Sequence, residues 1–271
     1  IDFWGHSLPA RIRDERHWIS LSLPGHYPSR LPPAFAADDV TTEMFAAVHA
    51  GAIRQLVGDR KVALVGWSTG GFSALNLAAR HPERIASVMS ICGFAKGAWW
   101  GVIGRMQRLV SVGKIGRRIF HAIWTQLGRN RWLFDLSIGL AAANRRAFRS
   151  SPVTRPTLDG WRHAVRHHEL AGLATLFERL ADLDIRPLLS SIAVPTLIVG
   201  GDRDPYIPLD HTRSLAAAIP GAELRIIPRT GHMFFAESTA AYHELLIDWL
   251  TRTTEPPPSP VTGSAPIGAL A

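Results

Sequence analysis

Three features that often reveal the class of a protein are scarce or missing in this chain of 271 residues. A single cysteine, Cys92, rules out an internal disulfide framework, and we expect it to be a small buried hydrophobic residue. No run of about 18 apolar residues occurs, so the sequence predicts no membrane-spanning helix. No basic segment followed by an apolar one lies near Ile1, which favours a cytoplasmic location, although Ile1 is not an initiator methionine.

Acidic residues are scarce in one region, which changes how the net charge of +8 is interpreted. Between Phe94 and Leu180 there are fifteen lysines and arginines but only four acidic residues, so this segment carries +11 and the rest carries −3. The basic character is therefore local. The hydrophobic content of 46% is far too high for a disordered chain, and the length allows a full core, so we expect one domain with an insertion.

Short apolar runs alternate with helical patterns along most of the sequence. The runs that predict strands are 17–23, 61–65, 85–91, 194–199 and 223–227. The patterns that predict helices are 39–57, 73–80, 210–219 and 236–250. Strands that alternate with helices favour a mostly parallel sheet with flanking helices, which is an α/β fold.

The helix predicted over 39–57 is amphipathic, with one apolar face expected to point to the core. Its apolar residues at helical spacing are Phe45, Val48, Ile53 and Leu56. Asp38 or Asp39 stands where a side chain could cap the first turn of this helix.

The region 94–186 interrupts the alternation of strands and helices. It is basic and rich in helical patterns, and it holds five of the nine tryptophans, namely Trp99, Trp100, Trp124, Trp132 and Trp161. We interpret it as a helical cap inserted between two parts of the α/β core, 1–93 and 187–252. The last residues, 253–271, are rich in proline and small residues, and we expect them to be disordered.

The motif Gly66-Trp67-Ser68-Thr69-Gly70 lies between a predicted strand and a predicted helix. A Gly-x-Ser-x-Gly motif in this context is typical of a nucleophile elbow, a sharp turn that exposes the serine hydroxyl at the end of a sheet. Glycines are needed because side chains two residues from the serine would collide with the turn. The turn also directs the N–H of Thr69 and the start of the helix towards a developing oxyanion. We therefore predict Ser68 as a nucleophile.

A serine hydroxyl needs a base to remove its proton, and twelve histidines are available. His232 directly follows the last predicted strand, where strand ends meet in a parallel sheet, and Asp204 follows the preceding strand in the same way. The chain order serine, acid, histidine matches a Ser-His-Asp triad on such a sheet. His163, His167 and His168 could place two imidazoles on one helix face, but no third ligand of matching spacing follows, so we predict no metal site.

Four segments resemble the α/β-hydrolase superfamily: GWSTGG around Ser68, the following HPERIASV, then VPTLIVGGDRDPYIP, and finally RTGHMFF. The resemblance covers about residues 15–250 apart from the cap. It implies that the acid of the triad is Asp204, which closes a Gly-x-x-Asp pattern. Asp202 is the alternative acid, and its other expected role is a hydrogen bond that stabilises the loop.

The same resemblance implies two-step acyl transfer, in which Ser68 attacks a carbonyl group, His232 takes the serine proton and Asp204 orients the imidazole. Serine at the elbow argues against haloalkane dehalogenases and epoxide hydrolases, relatives that use aspartate there. The scissile bond stays open: an ester is the commonest case, and a thioester, an amide, a carbon–carbon bond or transfer to another acceptor are alternatives. No cofactor is expected.

We expect a small, apolar acyl substrate bound near Trp67, Trp99 and Trp100. The cap should roof this pocket without holding the triad. Two rival interpretations are a non-catalytic binding protein of the same fold and a protein whose basic, tryptophan-rich cap binds nucleic acid or a membrane. Of these partners we favour peripheral contact with an anionic membrane over nucleic acid, and the sequence leaves the oligomeric state open.

The resemblance also predicts that the chain is incomplete at its N-terminus. In the family, a strand that ends in a His-Gly type loop precedes the first helix, and this loop supplies the second oxyanion donor. Residues 1–13 already match that helix, so the strand expected between 17–23 and 61–65 would be missing. Gly5-His6 has the reverse residue order and no preceding strand, and is not assigned this role. We expect residues 1–271 alone to be insoluble or nearly inactive.

Overall fold

The computed structural model describes residues 2–99 and 101–254, and these form an α/β fold around a four-stranded parallel sheet. The strands are β1 (Val62–Trp67), β2 (Ile85–Ile91), β3 (Thr196–Gly201) and β4 (Glu223–Ile227), in that spatial order. All three pairings are parallel. The mostly parallel sheet with flanking helices that was expected from the sequence is confirmed.

Both faces of the central strands are covered, which explains their unbroken apolar runs. Val88 on β2 and Ile198 on β3 belong to one buried cluster. Their neighbours Met89 and Leu197, which point to the opposite face of the sheet, belong to another. The first cluster is completed by residues of α3 (Thr42–Val57), α4 (Thr69–Arg80) and α11 (Leu209–Ala217). The second is completed largely by residues of α1 (Asp2–Ser7), α2 (Ala10–Glu15), α12 (Phe234–Glu237) and α13 (Thr239–Thr253).

The segment 17–23, predicted as a strand, is not one. No backbone hydrogen bond joins residues 17–22 to another described residue. The physical reason is the lack of a neighbour: a cleft of about 480 Å³ lies between this segment and the free edge of β1, so no ladder can form. A β-rich composition therefore yields only an extended, unpaired segment here.

The helix predicted for 1–13 is divided into α1 and α2, which are separated at Leu8-Pro9. Pro9 has φ −63° and ψ 144°, and it cannot donate the N–H that a continuous helix would use. The helix predicted for 236–250 is likewise divided, into α12 and α13 at Ser238.

Helix α3 begins at Thr42, later than predicted, and its cap is Thr41 rather than an aspartate. The Thr41 hydroxyl accepts the Met44 N–H at 3.0 Å, whereas Asp38 and Asp39 lie in a separate 3₁₀ turn. Two of the four residues expected to face the core are exposed, Val48 at 47% and Leu56 at 51%. The buried face instead runs through Phe45, His49 and Ile53.

The predicted cap region contains successive helices between β2 and β3. They are α5 (Gly101–Val110), α6 (Lys114–Arg129), α7 (Arg131–Gly139), α8 (Arg145–Ser150), α9 (Thr154–His167) and α10 (Leu170–Leu180). A third buried cluster, separate from the two on the sheet, holds α5, α6 and α10 together. Trp100 and residues 255–271, which include nearly all of the predicted tail, lie outside the described residues.

Within the described ranges, no helix has the length and apolar character that crossing a membrane requires.

Candidate active site

The backbone at Ser68 has the strained geometry of the predicted elbow, with φ 55° and ψ −118° between β1 and α4. A Cβ on Gly66 would lie 2.2 Å from the carbonyl oxygen of Gly70, and a Cβ on Gly71 would lie 2.5 Å from Ser90 Oγ. A Cβ on Gly70 would meet nothing within 4 Å. The close approaches thus require glycine at 66 and 71. The prediction that a side chain at 70, the second glycine of the motif, would collide with the turn is wrong.

Three predicted residues from distant parts of the chain come together at the carboxyl ends of the strands. His232 Nε2 lies 3.0 Å from Ser68 Oγ, and His232 Nδ1 lies 2.7 Å from Asp204 Oδ2. The side chains of His232 and Asp204 are 5% and 2% exposed. If Nδ1–H donates to the carboxylate, Nε2 is left to accept the serine proton, which is the arrangement that general-base catalysis needs.

The two candidate acids occupy different environments. Asp204 Oδ1 accepts the N–H groups of Tyr206 at 2.8 Å and Ile207 at 3.0 Å. Burial alone would raise the pKa of Asp204, but the charge and hydrogen bond of His232, with these two N–H groups, lower it overall. Asp202 instead accepts the Thr230 N–H at 3.2 Å. The geometry therefore favours Asp204 as the partner of His232 and Asp202 as a loop-stabilising residue.

Thr69 is the first residue of α4, so its N–H has no acceptor within the helix. The N-terminal end of α4 also carries a partial positive charge from the helix dipole. Both properties suit the oxyanion role that the sequence predicts for this N–H.

Trp67, predicted as a substrate contact, is bonded to the triad loop itself. Its Nε1–H donates to the carbonyl oxygen of His232 at 2.9 Å, and its ring lies 5.1 Å from the imidazole. The other side of the indole stacks on Trp161, with centroids 5.3 Å apart and planes at 12°. This indole therefore helps to position the base, a role that the sequence analysis did not anticipate.

Trp99, the other described residue of the predicted substrate pocket, lies between the sheet core and the cap core. The Trp99 ring packs edge-on against Phe94 and Phe177, and the backbone N–H of Trp99 donates to Gln107 Oε1 at 2.9 Å. Its contact with substrate stays a prediction.

Glu237 is a second positioning residue that sequence reasoning missed. Only 6% exposed, its carboxylate accepts the N–H groups of Gly231 and Met233, on either side of His232, at 3.1 Å, and that of Asn144 at 2.7 Å. The signal in the sequence was an acidic residue five positions after His232, directly behind the apolar run Met233-Phe-Phe-Ala236.

The cap also contacts the histidine loop directly. The carbonyl oxygen of Ala141 accepts the His232 N–H at 2.9 Å, and a Cβ on Gly231 would lie 2.6 Å from the Ala143 nitrogen. The cap contributes none of the three triad residues, but residues 141–144 of the cap and Glu237 together fix the backbone of the histidine loop.

Cys92 is buried, as predicted, but it lies beside the triad. Its sulfur and the ligand atoms of Asp204 and His232 all lie within 4.8 Å of one another. Burial, with the Asp204 charge adding to it, raises the pKa of the thiol well above its usual value, so Cys92 is a neutral neighbour. In this group the His232 Nδ1 and Asp204 Oδ2 atoms are joined by the 2.7 Å hydrogen bond of the triad.

The chain is similar to proteins of known name. It is 29% identical over 233 residues to a 2-hydroxy-6-oxo-6-phenylhexa-2,4-dienoate hydrolase from Burkholderia cepacia, an alignment that covers 80% of this chain and 74% of the relative. It is 28% identical to a pimeloyl-[acyl-carrier protein] methyl ester esterase from Chromobacterium violaceum, with coverages of 79% and 76%.

Among solved structures, the enol-lactonase from Burkholderia xenovorans LB400 has the same fold, with a TM-score of 0.70 at 23% identity. The superposition covers 92% of this chain and 86% of the enol-lactonase. The profile of the alpha/beta hydrolase family matches residues 2–245. Because this match runs from α1 into α13, through the sheet and the cap between its two halves, the chain belongs to the alpha/beta hydrolase family of enzymes.

Proposed function

We propose that this enzyme hydrolyses a carboxylic ester or a related acyl bond through a covalent acyl-enzyme on Ser68. The observation that carries the proposal is the distance of 3.0 Å between Ser68 Oγ and His232 Nε2, with Asp204 2.7 Å behind the imidazole. A hydroxyl becomes an effective nucleophile only when a base within hydrogen-bond reach can take its proton.

Each proton has a place in the proposed reaction. His232 Nε2 takes the Ser68 proton while Oγ attacks the carbonyl carbon, and the Thr69 N–H donates to the oxyanion that forms. When this intermediate collapses, the leaving alcohol takes the proton from His232. Water then attacks the acyl-enzyme, again losing its proton to His232. As the bond between the carbonyl carbon and Ser68 Oγ breaks, His232 returns this proton to Oγ and the carboxylic acid leaves. Asp204 stabilises the imidazolium in both steps.

A second candidate is hydrolysis of a carbon–carbon bond in a hydroxy-oxo-dienoate. Its support is similarity: two relatives named as hydrolases of such compounds, from Burkholderia cepacia and Comamonas testosteroni, are 29% and 28% identical over 80% of this chain. An esterase is nearly as similar, at 28%. Similarity therefore does not rank the two reactions, and thioester cleavage or acyl transfer uses the same residues.

The test has two stages. First, the wild-type protein and the Ser68→Ala variant are treated with a fluorophosphonate probe; labelling of the wild type alone identifies Ser68 as the nucleophile. Second, turnover is measured with p-nitrophenyl esters of rising acyl length, an acyl thioester and 2-hydroxy-6-oxo-6-phenylhexa-2,4-dienoate. We expect ester turnover, which Ser68→Ala lowers by about 10⁴- to 10⁶-fold.

Each outcome has a clear meaning. Labelling of Ser68 with turnover of the dienoate alone would replace the ester proposal with carbon–carbon hydrolysis. Retained turnover in a purified Ser68→Ala protein would refute the nucleophile. A folded wild-type protein with neither labelling nor turnover would indicate the non-catalytic binding protein.

A further inference from the structure

Helices α5 and α6 form a helical hairpin in the cap whose inner face is already fully packed. Val110 and Phe120 are completely buried, and they pack with Leu173, Ala174 and Phe177 of α10. The hairpin therefore needs no further apolar partner for its own stability.

The outer face of the same hairpin nevertheless exposes large aliphatic side chains. Val112 in the turn and Ile115 at the start of α6 are each 68% exposed. Ile119 lies one helical turn after Ile115 and is 43% exposed, and Val102 on α5 is 47% exposed. Val112, Ile115 and Ile119 follow one another around the turn and the first part of α6, whereas Val102 lies at the far end of α5. Exposed apolar residues that adjoin one another mark an interaction surface more often than scattered ones do.

The charge around these residues has a single sign. Residues 101–129 contain six arginines and lysines and no acidic residue. Arg117 pairs with Glu178 of α10. For the other five, the described part of the chain contains no ion-pair partner; these are Arg105, Arg108, Lys114, Arg118 and Arg129.

Unlike these five cations, the first arginine of α9 is held in ion pairs. Arg155 contacts Asp135 at 2.8 Å and Asp159 at 2.6 Å. On the α5–α6 hairpin, the five cations without an ion-pair partner among the described residues therefore occur together with exposed aliphatic side chains.

We propose that the outer face of the α5–α6 hairpin docks on an anionic lipid bilayer. A basic helical surface with adjoining exposed aliphatic side chains lies in the interface of a membrane, its apolar residues among the acyl chains and its cations at the headgroups. Each cation close to such a surface adds to the attraction for anionic headgroups. An acidic soluble protein would neutralise the cations but would leave no apolar phase for Val112 and Ile115, so the bilayer is the better match. This proposal is independent of the proposed reaction.

The docking surface can be changed without touching the triad. Gly101, at the start of α5, is the part of the hairpin that lies next to the loop after Asp204. A Cβ on Gly101 would lie 3.1 Å from the carbonyl oxygen of Pro205. Val112 lies eleven residues after Gly101, in the turn at the opposite end of α5. Variants at the turn should therefore leave hydrolysis of a soluble short ester unchanged.

The experiment is co-sedimentation of the full chain with vesicles of phosphatidylcholine alone or mixed with phosphatidylserine. We expect binding to the mixed vesicles only, and weaker binding as salt is raised. Binding should fall about tenfold or more in Arg105→Gln/Arg108→Gln/Lys114→Gln/Arg118→Gln, and about tenfold in Val112→Ser/Ile115→Ser. Control variants on α3 and immediately before β1 should bind as the wild type does. They are Val48→Ser/Leu56→Ser for the exposed aliphatic residues and Arg54→Gln/Lys61→Gln for charge.

A second measurement reports on the environment of the turn directly. A polarity-sensitive dye on Val112→Cys should shift to the blue with mixed vesicles, while native Cys92 is buried and should react slowly. The proposal would be overturned by any one of four results: no binding of the wild type, equal binding to neutral vesicles, an equal loss in the control variants, or no dye shift. Retention on an immobilised acidic carrier protein without vesicle binding would replace the bilayer with a protein partner.

Discussion

The indole N–H of Trp67 donates a hydrogen bond of 2.9 Å to the carbonyl oxygen of His232. The residue before the proposed nucleophile thereby holds the loop of the proposed base. The segment with Ser68 and the loop with His232 are consequently joined by a second hydrogen bond, in addition to the Ser68–His232 contact used in proton transfer.

This bond can be tested with Trp67→Phe, which retains an aromatic ring but removes the donor. Loss of one hydrogen bond of this kind should lower kcat by about 3- to 10-fold, because His232 would be less firmly positioned, with little change in KM for a small ester. Trp161→Phe, which changes the stacking partner and no bond to the loop, is the control. A rise in KM at constant kcat would instead assign Trp67 to substrate binding.

The two aspartates give opposite expectations. Asp204→Asn should leave the imidazole in the wrong tautomer and lower kcat by about 10⁴-fold. Asp202→Asn should cost far less, because its contact is one hydrogen bond to the Thr230 N–H. Steady-state kinetics of both purified variants decide the matter, and a larger loss in Asp202→Asn would mean that the acid has been assigned to the wrong residue.

Glu237→Gln should reduce both stability and activity. The carboxylate accepts three backbone N–H groups, and an amide would turn its own NH₂ towards at least one of them. We expect the free energy of unfolding to fall by about 2–4 kcal/mol, since buried donors would be left without acceptors. Urea denaturation and kcat should change together. Glu244→Gln, on the exposed side of α13, serves as the control and should change neither.

Acid should destabilise the protein in part through His26. Burial, with the nearby His168 adding to it, lowers the pKa of His26 from 6.5 to about 4. The unfolded chain therefore binds a proton at this residue before the folded protein does, and stability falls as the pH drops from about 6.5 to about 4. At about 1.4 kcal/mol for each pKa unit, the loss is at most about 3 kcal/mol.

The measurement for His26 is a comparison of slopes. Burial also lowers the pKa of His49 and His168, so the wild-type protein should lose stability in acid for more than one reason. The His26→Gln variant should lose less between pH 7 and pH 4 than the wild type in urea denaturation. Identical pH dependence in the two proteins would exclude His26 as a contributor.

Local pattern was sufficient for the parts of this protein that depend on neighbours along the chain. β2 and β4 lie at the predicted residues. For β2 the reason is a largely apolar run, which suits a strand covered on both faces. The elbow at Ser68 was predictable because its sharp turn needs glycine nearby, and Asp204 and His232 because each follows a buried strand.

Tertiary structure decided what depends on partners far away in sequence. Segment 17–23 has the composition of a strand but no adjacent ladder, and a strand is stable only when its backbone groups are paired. The contacts of Trp67 with His232, 165 residues away, and of Glu237 with Asn144, 93 residues away, leave no local periodicity in the chain. The sequence alone determined which residues could react, and the fold determined which others hold them in place, because hydrogen bonds between distant segments form only when the packed core brings those segments together.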